Sequence, residues 1–473
     1  MTLGDVDPGA FRAEAHRLVD WISRYLEGSE RYPVLSRVRP GEVRQALPAS
    51  PPQRGEPLPA ILADVERVIV PGLTHWNHPG FFAYFANSSP GPAVLAEALA
   101  AAFNANAMLW KTAPAATELE LVVLDWLRQM LGLPAGLFGV IQDTASTSTL
   151  VALAAAREAV PGLDVRRRGL VGQARLRMYA SEHAHSSVEK AGIVLGIGQE
   201  GFRAVATDGE FRMDPAALAR AVTEDRAAGL TPFAVTATVG TTSTTSIDPV
   251  PAIADVCERE GLWLHVDTAY AGSAAVVPEL RWVLAGCERA DSLVVNPHKW
   301  MFVPVDLSVL YTRRPEVVRE AFSVLPEYLK TAEETVAPNL MDYGVSLGRR
   351  FRALKLWMVI RAFGAEGIAD RLREHVRLAQ LFRSLVEADA GFEVSAPSPL
   401  SVVCFRARFP GATPEEGDRR NAELMEAVNA TGEAYLSHTK LRGRTVLRLA
   451  VGNLRTGERH VRRAFELLSQ ARR

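Results

Sequence analysis

At 473 residues the chain is long enough for two or three domains sharing a substantial core. Apolar content of 48% and charged content of 23% are those of an ordinary globular protein, and a formal net charge of -1 leaves no footprint for nucleic acid or an anionic membrane. The cysteines Cys257, Cys287 and Cys404 are far apart with no CxxC spacing, which argues against a disulfide framework or a structural zinc site and predicts a soluble chain in the reducing cytoplasm. Residues 11–26 place Phe11, Leu18, Val19, Ile22, Tyr25 and Leu26 at helical spacing. The opening stretch carries acids and no apolar segment, so no signal peptide is expected. A proline-rich connector, LPASPPQRGEPLP (47–59), and a second helix, AILADVERVIV, lead into THWNHPGFFAYF. These helices make no core of their own, and residues 1–88 are expected to pack on another surface, such as a partner subunit. The alanine-rich PAVLAEALAAAF is broken by Glu97 and reads as a packed helix, not a membrane span.

From about 90 to 360, helical stretches such as ATELELVVLDWLRQML alternate with short apolar runs: FAVTATVG (233–240), LWLHVD (262–267), SLVVN (292–296) and LSVLYT (307–312). This alternation predicts an α/β domain over 89–364, with a largely parallel sheet covered by helices on both faces. Ligands in such sheets bind at the carboxyl ends of strands. Thr241, Thr242, Asp267, His298 and Lys299 fall at those ends. Residues 365–473, with LSVVCFRARF (400–409), TVLRLAVG (445–452) and a last helix ERHVRRAFELLSQ, describe a smaller α+β domain.

Four features of the central region carry chemistry. In DSLVVNPHKWMF (291–302) a lysine, Lys299, sits at the mouth of a buried strand, where an unpaired ammonium is costly. In QDTASTSTLVALAAAREAV, Thr144, Ala145 and Ser146 open a helix whose free amides suit a phosphate, although a plain N-cap gives the same pattern. His183 and His185 stand in HxH spacing, fit either to ligate a metal or to lay an imidazole on a flat ligand. Asp267 ends an apolar strand. A phosphate site, a stacking imidazole, a buried carboxylate and a lysine are together what pyridoxal 5'-phosphate requires. The lysine forms an imine with the aldehyde, and the aspartate keeps the pyridine nitrogen protonated. His185 and Ala269 can lie on the two faces of the ring. No GxxxxGK[ST] loop favours a nucleotide instead.

At this point THWNHPGFFAYF, TELE, AHSSVEKAG, TVGTTSTTSIDP, WLHVDTAYAGSA, NPHKWMF, LGRRFRALKLW and VLRLAVGN, in this order and spacing, resemble the pyridoxal-phosphate-dependent aromatic L-amino acid decarboxylases along essentially the full chain. The resemblance implies fold type I with a seven-stranded type of sheet, and a homodimer whose active sites lie at the subunit interface. It implies Lys299 as the cofactor lysine, His185 stacked on the ring, Asp267 at the ring nitrogen and Ala269 against the ring. Thr144, Ala145, Ser146 and Asn296 would surround the phosphate, with Thr242 near the cofactor and His298 beside the reacting imine. Tyr328 matches a loop tyrosine that reprotonates Cα, and relatives with phenylalanine there make aldehydes. Trp76, Tyr84 and Phe85 match the segment that lines the substrate's ring. Gly348 matches a position where plant relatives with glycine favour indoles, which puts tryptophan ahead of phenylalanine, tyrosine and dopa. The chain departs from the family at Asp143, where many relatives carry glycine, and at Asn106 and Met108, where animal relatives have larger apolar residues. The expected reaction is decarboxylation of an aromatic L-amino acid to the arylalkylamine and CO2. The alternatives are an aldehyde synthase on the same scaffold, a metal-dependent hydrolase built on His183, His185, Asp267 and His265, and a non-catalytic paralogue. The last is disfavoured because the lysine, aspartate and histidine are all retained.

Overall fold

The structure is a computed structural model that describes residues 5–324, 333 and 336–472. Seven strands form the central sheet: β1 (Phe138–Gln142), β2 (Leu176–Ser181), β3 (Phe202–Val205), β4 (Thr231–Thr238), β5 (Trp263–Asp267), β6 (Ser292–Val295) and β7 (Ser308–Thr312). Their order across the sheet is β1-β7-β6-β5-β4-β2-β3. The β6–β5–β4–β2–β3 run is parallel, whereas β7 is antiparallel to both β6 and β1. This is the expected mostly parallel sheet. Its inner strands β4 to β7 are buried except for Thr231 at the start of β4, as a doubly covered sheet demands, and are rich in Val, Leu and Ala. The helices Pro114–Met130, Ala145–Glu158, Pro215–Ala227 and Val250–Glu260 contribute the buried faces that close over it.

A second sheet is antiparallel, with β8 (Phe392–Val394), β9 (Val402–Ala407), β10 (Ser437–Leu441) and β11 (Arg444–Ala450) in the order β10-β11-β9-β8. Between the two sheets runs the helix Ala353–Ala388, interrupted at Gly364, whose φ of 68° is left-handed and favours a residue without Cβ. The amino-terminal helix Pro8–Glu27 starts from Asp7, whose side chain accepts from Ala10 N–H at 2.9 Å, with proline in the first turn. The chain then joins the small sheet: Phe82 N–H donates to Tyr435 O at 2.9 Å and Ala450 N–H donates to Phe82 O at 2.9 Å. No helix among the described residues is long and apolar enough to cross a membrane.

Candidate active site

The carboxyl ends of β5 and β6 are knotted together by backbone bonds. Asp267 is the last residue of β5 and lies opposite Val294 of β6. Beyond it, Thr268 gives both its N–H (3.0 Å) and its hydroxyl (2.6 Å) to Val294 O. Asn296 N–H returns to Ala269 O at 3.2 Å, and Lys299 N–H closes a turn on Asn296 O at 2.9 Å. Lys299 therefore leaves the sheet from one helical turn, Pro297–Trp300, fixed on its inner side. Trp300 anchors that turn: its indole N–H donates to His375 Nδ1 at 3.0 Å, and its ring stacks on Tyr270 at 4.9 Å. Tyr270 in turn stacks on Phe85 at 4.0 Å, and Lys299 Nζ lies 5.2 Å from the centre of the Phe85 ring. At the end of β4, Gly240 holds φ 89°, and a Cβ there would come within 2.6 Å of Ala271 Cβ, so only glycine lets the Thr241–Ser246 turn pack beside this site.

The electrostatics of the cluster follow from burial. Lys299 pairs with no carboxylate among the described residues, and burial pushes its ammonium below the usual lysine range, against the pull of Asp267. Burial likewise lowers His185, with Asp267 opposing and Lys299 reinforcing the shift. His185, Asp267 and Lys299 thus feel one another's charge. The Nδ1 atom of His185 accepts from Ser187 N–H at 3.2 Å and lies 2.8 Å from Ser187 Oγ. Asp267 is buried; one carboxylate oxygen accepts from Ala269 N–H at 3.0 Å, and the other has no hydrogen bond among the described residues. Ala269 is buried beside it. Asn296 is 2% exposed, its amide is 3.3 Å from His298 Nε2, and its Oδ1 has no partner.

Thr144, Ala145 and Ser146 form the amino end of the helix Ala145–Glu158, which Ser148 ties to Ser308 of β7 at 2.8 Å. The Asp143 carboxylate already takes the Thr144 N–H (2.5 Å) and hydroxyl (3.2 Å). Thr242 is exposed at the turn after β4, and its side chain makes no hydrogen bond among the described residues. The substrate candidates separate into two groups. Phe85 touches the lysine, while Trp76 and Tyr84 stack 6.0 Å apart beside it in sequence and are 38% and 52% exposed. Asn106, Met108 and Gly348 gather elsewhere: Asn106 Oδ1 accepts from Arg349 N–H at 2.9 Å, and its amide touches Met108 Sδ at 3.6 Å. A Cβ on Gly348 would lie 3.9 Å from Asn106. Among the described residues, no hydrogen bond or ring contact joins this second group to Lys299 or Asp267.

His183 turns away and meets Phe211 edge-on at 5.4 Å, while His265 is fully buried, 3.0 Å from Ser292 Oγ and 3.4 Å from Thr149 Oγ1. No three His, Cys, Asp or Glu side chains gather for a metal among the described residues, so the hydrolase alternative lacks its ligand set. Tyr328 lies outside the described residues. One functional candidate escaped the sequence reading. Arg448 of β11 is 3% exposed, donates to Ser243 O (2.9 Å) and Ser437 Oγ (3.0 Å), and lies 5.5 Å from the Phe85 ring, with Nη2 buried and without a partner. A guanidinium in the middle of the apolar run VLRLA of β11 was the available signal.

A mixed α/β sheet with a half-buried lysine, an uncommitted carboxylate oxygen and an orphaned amide oxygen at its strand ends defines an enzyme that carries pyridoxal 5'-phosphate: the residues fit that group, since the Lys299 amine, one Asp267 oxygen and Asn296 Oδ1 have no hydrogen-bond partner among the described residues. Residues 40–408 match the pyridoxal-dependent decarboxylase conserved domain, and the chain belongs to that family, a group of carboxy-lyases. It is 40% identical over 476 residues to tryptophan decarboxylase 2 of Oryza sativa subsp. japonica, covering 98% of this chain and 95% of that enzyme. It is also 40% identical over 480 residues to phenylacetaldehyde synthase of a Rosa hybrid cultivar, covering 98% and 94%. The crystal structure of Oryza sativa TDC with PLP and tryptamine superposes with a TM-score of 0.95 at 41% identity, covering 100% of this chain and 99% of that one.

Proposed function

We propose that the protein decarboxylates an aromatic L-amino acid, with tryptophan foremost and phenylalanine, tyrosine and dopa as further substrates, to the arylalkylamine and CO2. The single observation that carries this is the Lys299–Phe85 contact: the reactive amine and an aromatic wall meet at 5.2 Å. The relative crystallised with tryptamine supports the indole preference. Lys299 holds the cofactor covalently through Nζ, and its depressed basicity keeps part of the amine neutral and nucleophilic. Asp267 would hold a proton at the ring nitrogen with its free oxygen, and His185 and Ala269 would lie against the ring. Thr144, Ala145, Ser146 and Asn296 receive the phosphate, with Thr242 and His298 at the margin. When bound, pyridoxal phosphate accepts the electron pair released as the carboxylate leaves. The residues decide which bond breaks by orienting it. Arg448 offers its uncommitted Nη2 to the anionic end of the substrate. Tyr328 then returns a proton to Cα, which gives amine in place of aldehyde.

The same reading makes the enzyme a cytoplasmic homodimer, with three regions at 1–88, 89–364 and 365–473. Support for the dimer comes from exposed apolar side chains, Phe11 on the amino-terminal helix and Leu95, Leu99 and Phe103 on the helix Gly91–Phe103, and from the lack of any hydrogen bond or ring contact, among the described residues, between the Asn106, Met108 and Gly348 group and the lysine of their own chain. A partner would bring that group to the neighbouring site. The three free, buried cysteines suit a reducing compartment. The test is end-product analysis with pyridoxal phosphate and L-tryptophan, L-dopa, L-tyrosine, L-phenylalanine, L-histidine and L-glutamate. Amine and CO2 from the aromatic substrates are expected. Aldehyde with peroxide would favour the synthase alternative, and turnover of glutamate alone would overturn the aromatic assignment.

A further inference from the structure

His298 stands next to the cofactor lysine, the position from which an imidazole would be expected to move protons. Both of its ring nitrogens are committed. Nδ1 accepts from Leu307 N–H at 3.0 Å, so a neutral ring must carry its proton on Nε2. Nε2 is 3.3 Å from the Asn296 amide. With Nδ2 turned toward it, two donors would meet while Oδ1 stays buried without a partner. The opposite orientation of the amide satisfies both groups: Nε2–H donates to Oδ1, and Nδ2 becomes the buried donor with no partner among the described residues. Adding a proton to the ring would place it on Nδ1, against the Leu307 N–H. Of the charged groups facing the ring, Lys299 and Lys355 oppose that proton and Asp306 alone favours it, against the larger effect of burial. Lys299 is a neighbouring cation, Lys355 is paired with Glu97 at 2.6 Å, and Asp306 is occupied by Arg352 at 2.8 Å.

We infer that His298 is a positioning residue, not a proton carrier: fixed as the neutral Nε2–H tautomer, it turns the Asn296 amide so that Nδ2 is presented to an anionic oxygen of the bound cofactor. The inference rests on the cofactor reading above. It transmits the orientation of one backbone amide, that of Leu307, through an imidazole to the ligand. Burial acts in the same direction and pushes His298 down to about 4.

The test has two arms. In the full-length protein labelled with 15N-histidine, the His298 resonances, assigned by their loss in His298→Gln, should report a protonated Nε2 and an unprotonated Nδ1 without titrating between about pH 5 and 8. A ring that titrates in this range, or a proton on Nδ1, overturns the inference. In the second arm, the affinity for pyridoxal phosphate is measured by absorbance titration in Asn296→Ala and Asn296→Asp. Ala removes a donor and should weaken binding roughly tenfold or more. Asp still accepts from Nε2–H but opposes its second oxygen to an anion, so it should be weaker again by at least about tenfold. Asp binding as well as Asn would refute the orientation. The resonance arm needs no cofactor, whereas binding that ignores Lys299→Ala faults the cofactor reading, so the two failures are distinguishable.

Discussion

Replacing Asp143 by asparagine should tighten cofactor binding. The Asp143 carboxylate occupies the Thr144 N–H at 2.5 Å and the Thr144 hydroxyl at 3.2 Å, donors that the proposed phosphate site needs. To recruit them, the phosphate must displace a charge-assisted contact worth about 1.5–3 kcal/mol, against about 0.5–1.5 kcal/mol for the neutral contact that asparagine would make. The wild-type carboxylate also repels the dianion. A unit pair about 6 Å apart at an effective dielectric near 20 interacts by about 3 kcal/mol, reduced by partial exposure and salt. Together these give about 1–3 kcal/mol, or a dissociation constant about 5–150-fold lower. The helix N-cap is Thr144 and Asp143 lies one residue outside it, so folding should change little. The assay is absorbance titration of cofactor-free protein at low and high salt, with thermal unfolding as control. The advantage of the variant should shrink at about 1 M salt, where the Debye length is about 3 Å. Unchanged or weaker binding in a stably folded Asp143→Asn protein would mean that the carboxylate does not face the phosphate.

Lys299→Ala should lose the visible absorbance of covalently bound cofactor and reduce decarboxylation on the order of 1000-fold or more; a variant that keeps the absorbance would refute the lysine assignment. Tyr328→Phe should slow amine formation by roughly 100-fold and shift product to aldehyde, ammonia and peroxide, as read by chromatography, and an unchanged amine yield would remove Tyr328 from the proton step. Burial holds His78, His265, His298 and His375 at about 4, below the ordinary value near 6.5. In that window the unfolded chain binds more protons, so stability should fall as pH drops from about 6.5 to 4, by up to ~1.4 kcal/mol per pH unit for each ring. A urea midpoint flat over that range would contradict the buried neutral rings.

The parts of the fold legible in the sequence are those where local pattern and burial agree. The runs at 233–240, 262–267, 292–296 and 307–312 became β4 to β7 because an unbroken apolar run between helices has few alternatives. β1, β2, β3, β8 and β10 were missed: Phe138–Gln142 contains a glycine and glutamine, Phe392–Val394 is only three residues long, and Ser437–Leu441 is mostly polar, so none announces a strand. The direction of β7 was also missed, although a signal existed. Only residues 301–307 separate the Lys299 turn from β7, too few for the crossover a parallel neighbour requires. In the site, Lys299 and Asp267 were legible because charge at the end of an apolar run is costly without a purpose. Arg448 was not, because its significance depends on a ring more than 360 residues away in sequence.

The boundary between what class of reaction and which reaction follows the same line. Lys299, Asp267 and Asn296 are fixed by backbone bonds at the ends of β5 and β6. On the proposed reading, that frame orients the bond to the departing carboxylate. It does not set what meets Cα afterwards. A tryptophan decarboxylase and a phenylacetaldehyde synthase are each 40% identical to this chain, so overall similarity weighs the two outcomes equally. On the proposed reading the choice between them would fall to the hydroxyl of Tyr328, which lies outside the described residues, and the choice of ring to Trp76, Tyr84, Asn106, Met108 and Gly348, which lie outside the strands. Exchanging Gly348 for serine leaves the strand-end frame untouched, and a side chain there meets only the Asn106 amide at 3.9 Å. The exchange should therefore change the ratio of kcat/KM between tryptophan and tyrosine without changing cofactor affinity. If both substrates slowed in proportion, the ring preference would have to reside in the frame, and the division drawn here between frame and loops would fail.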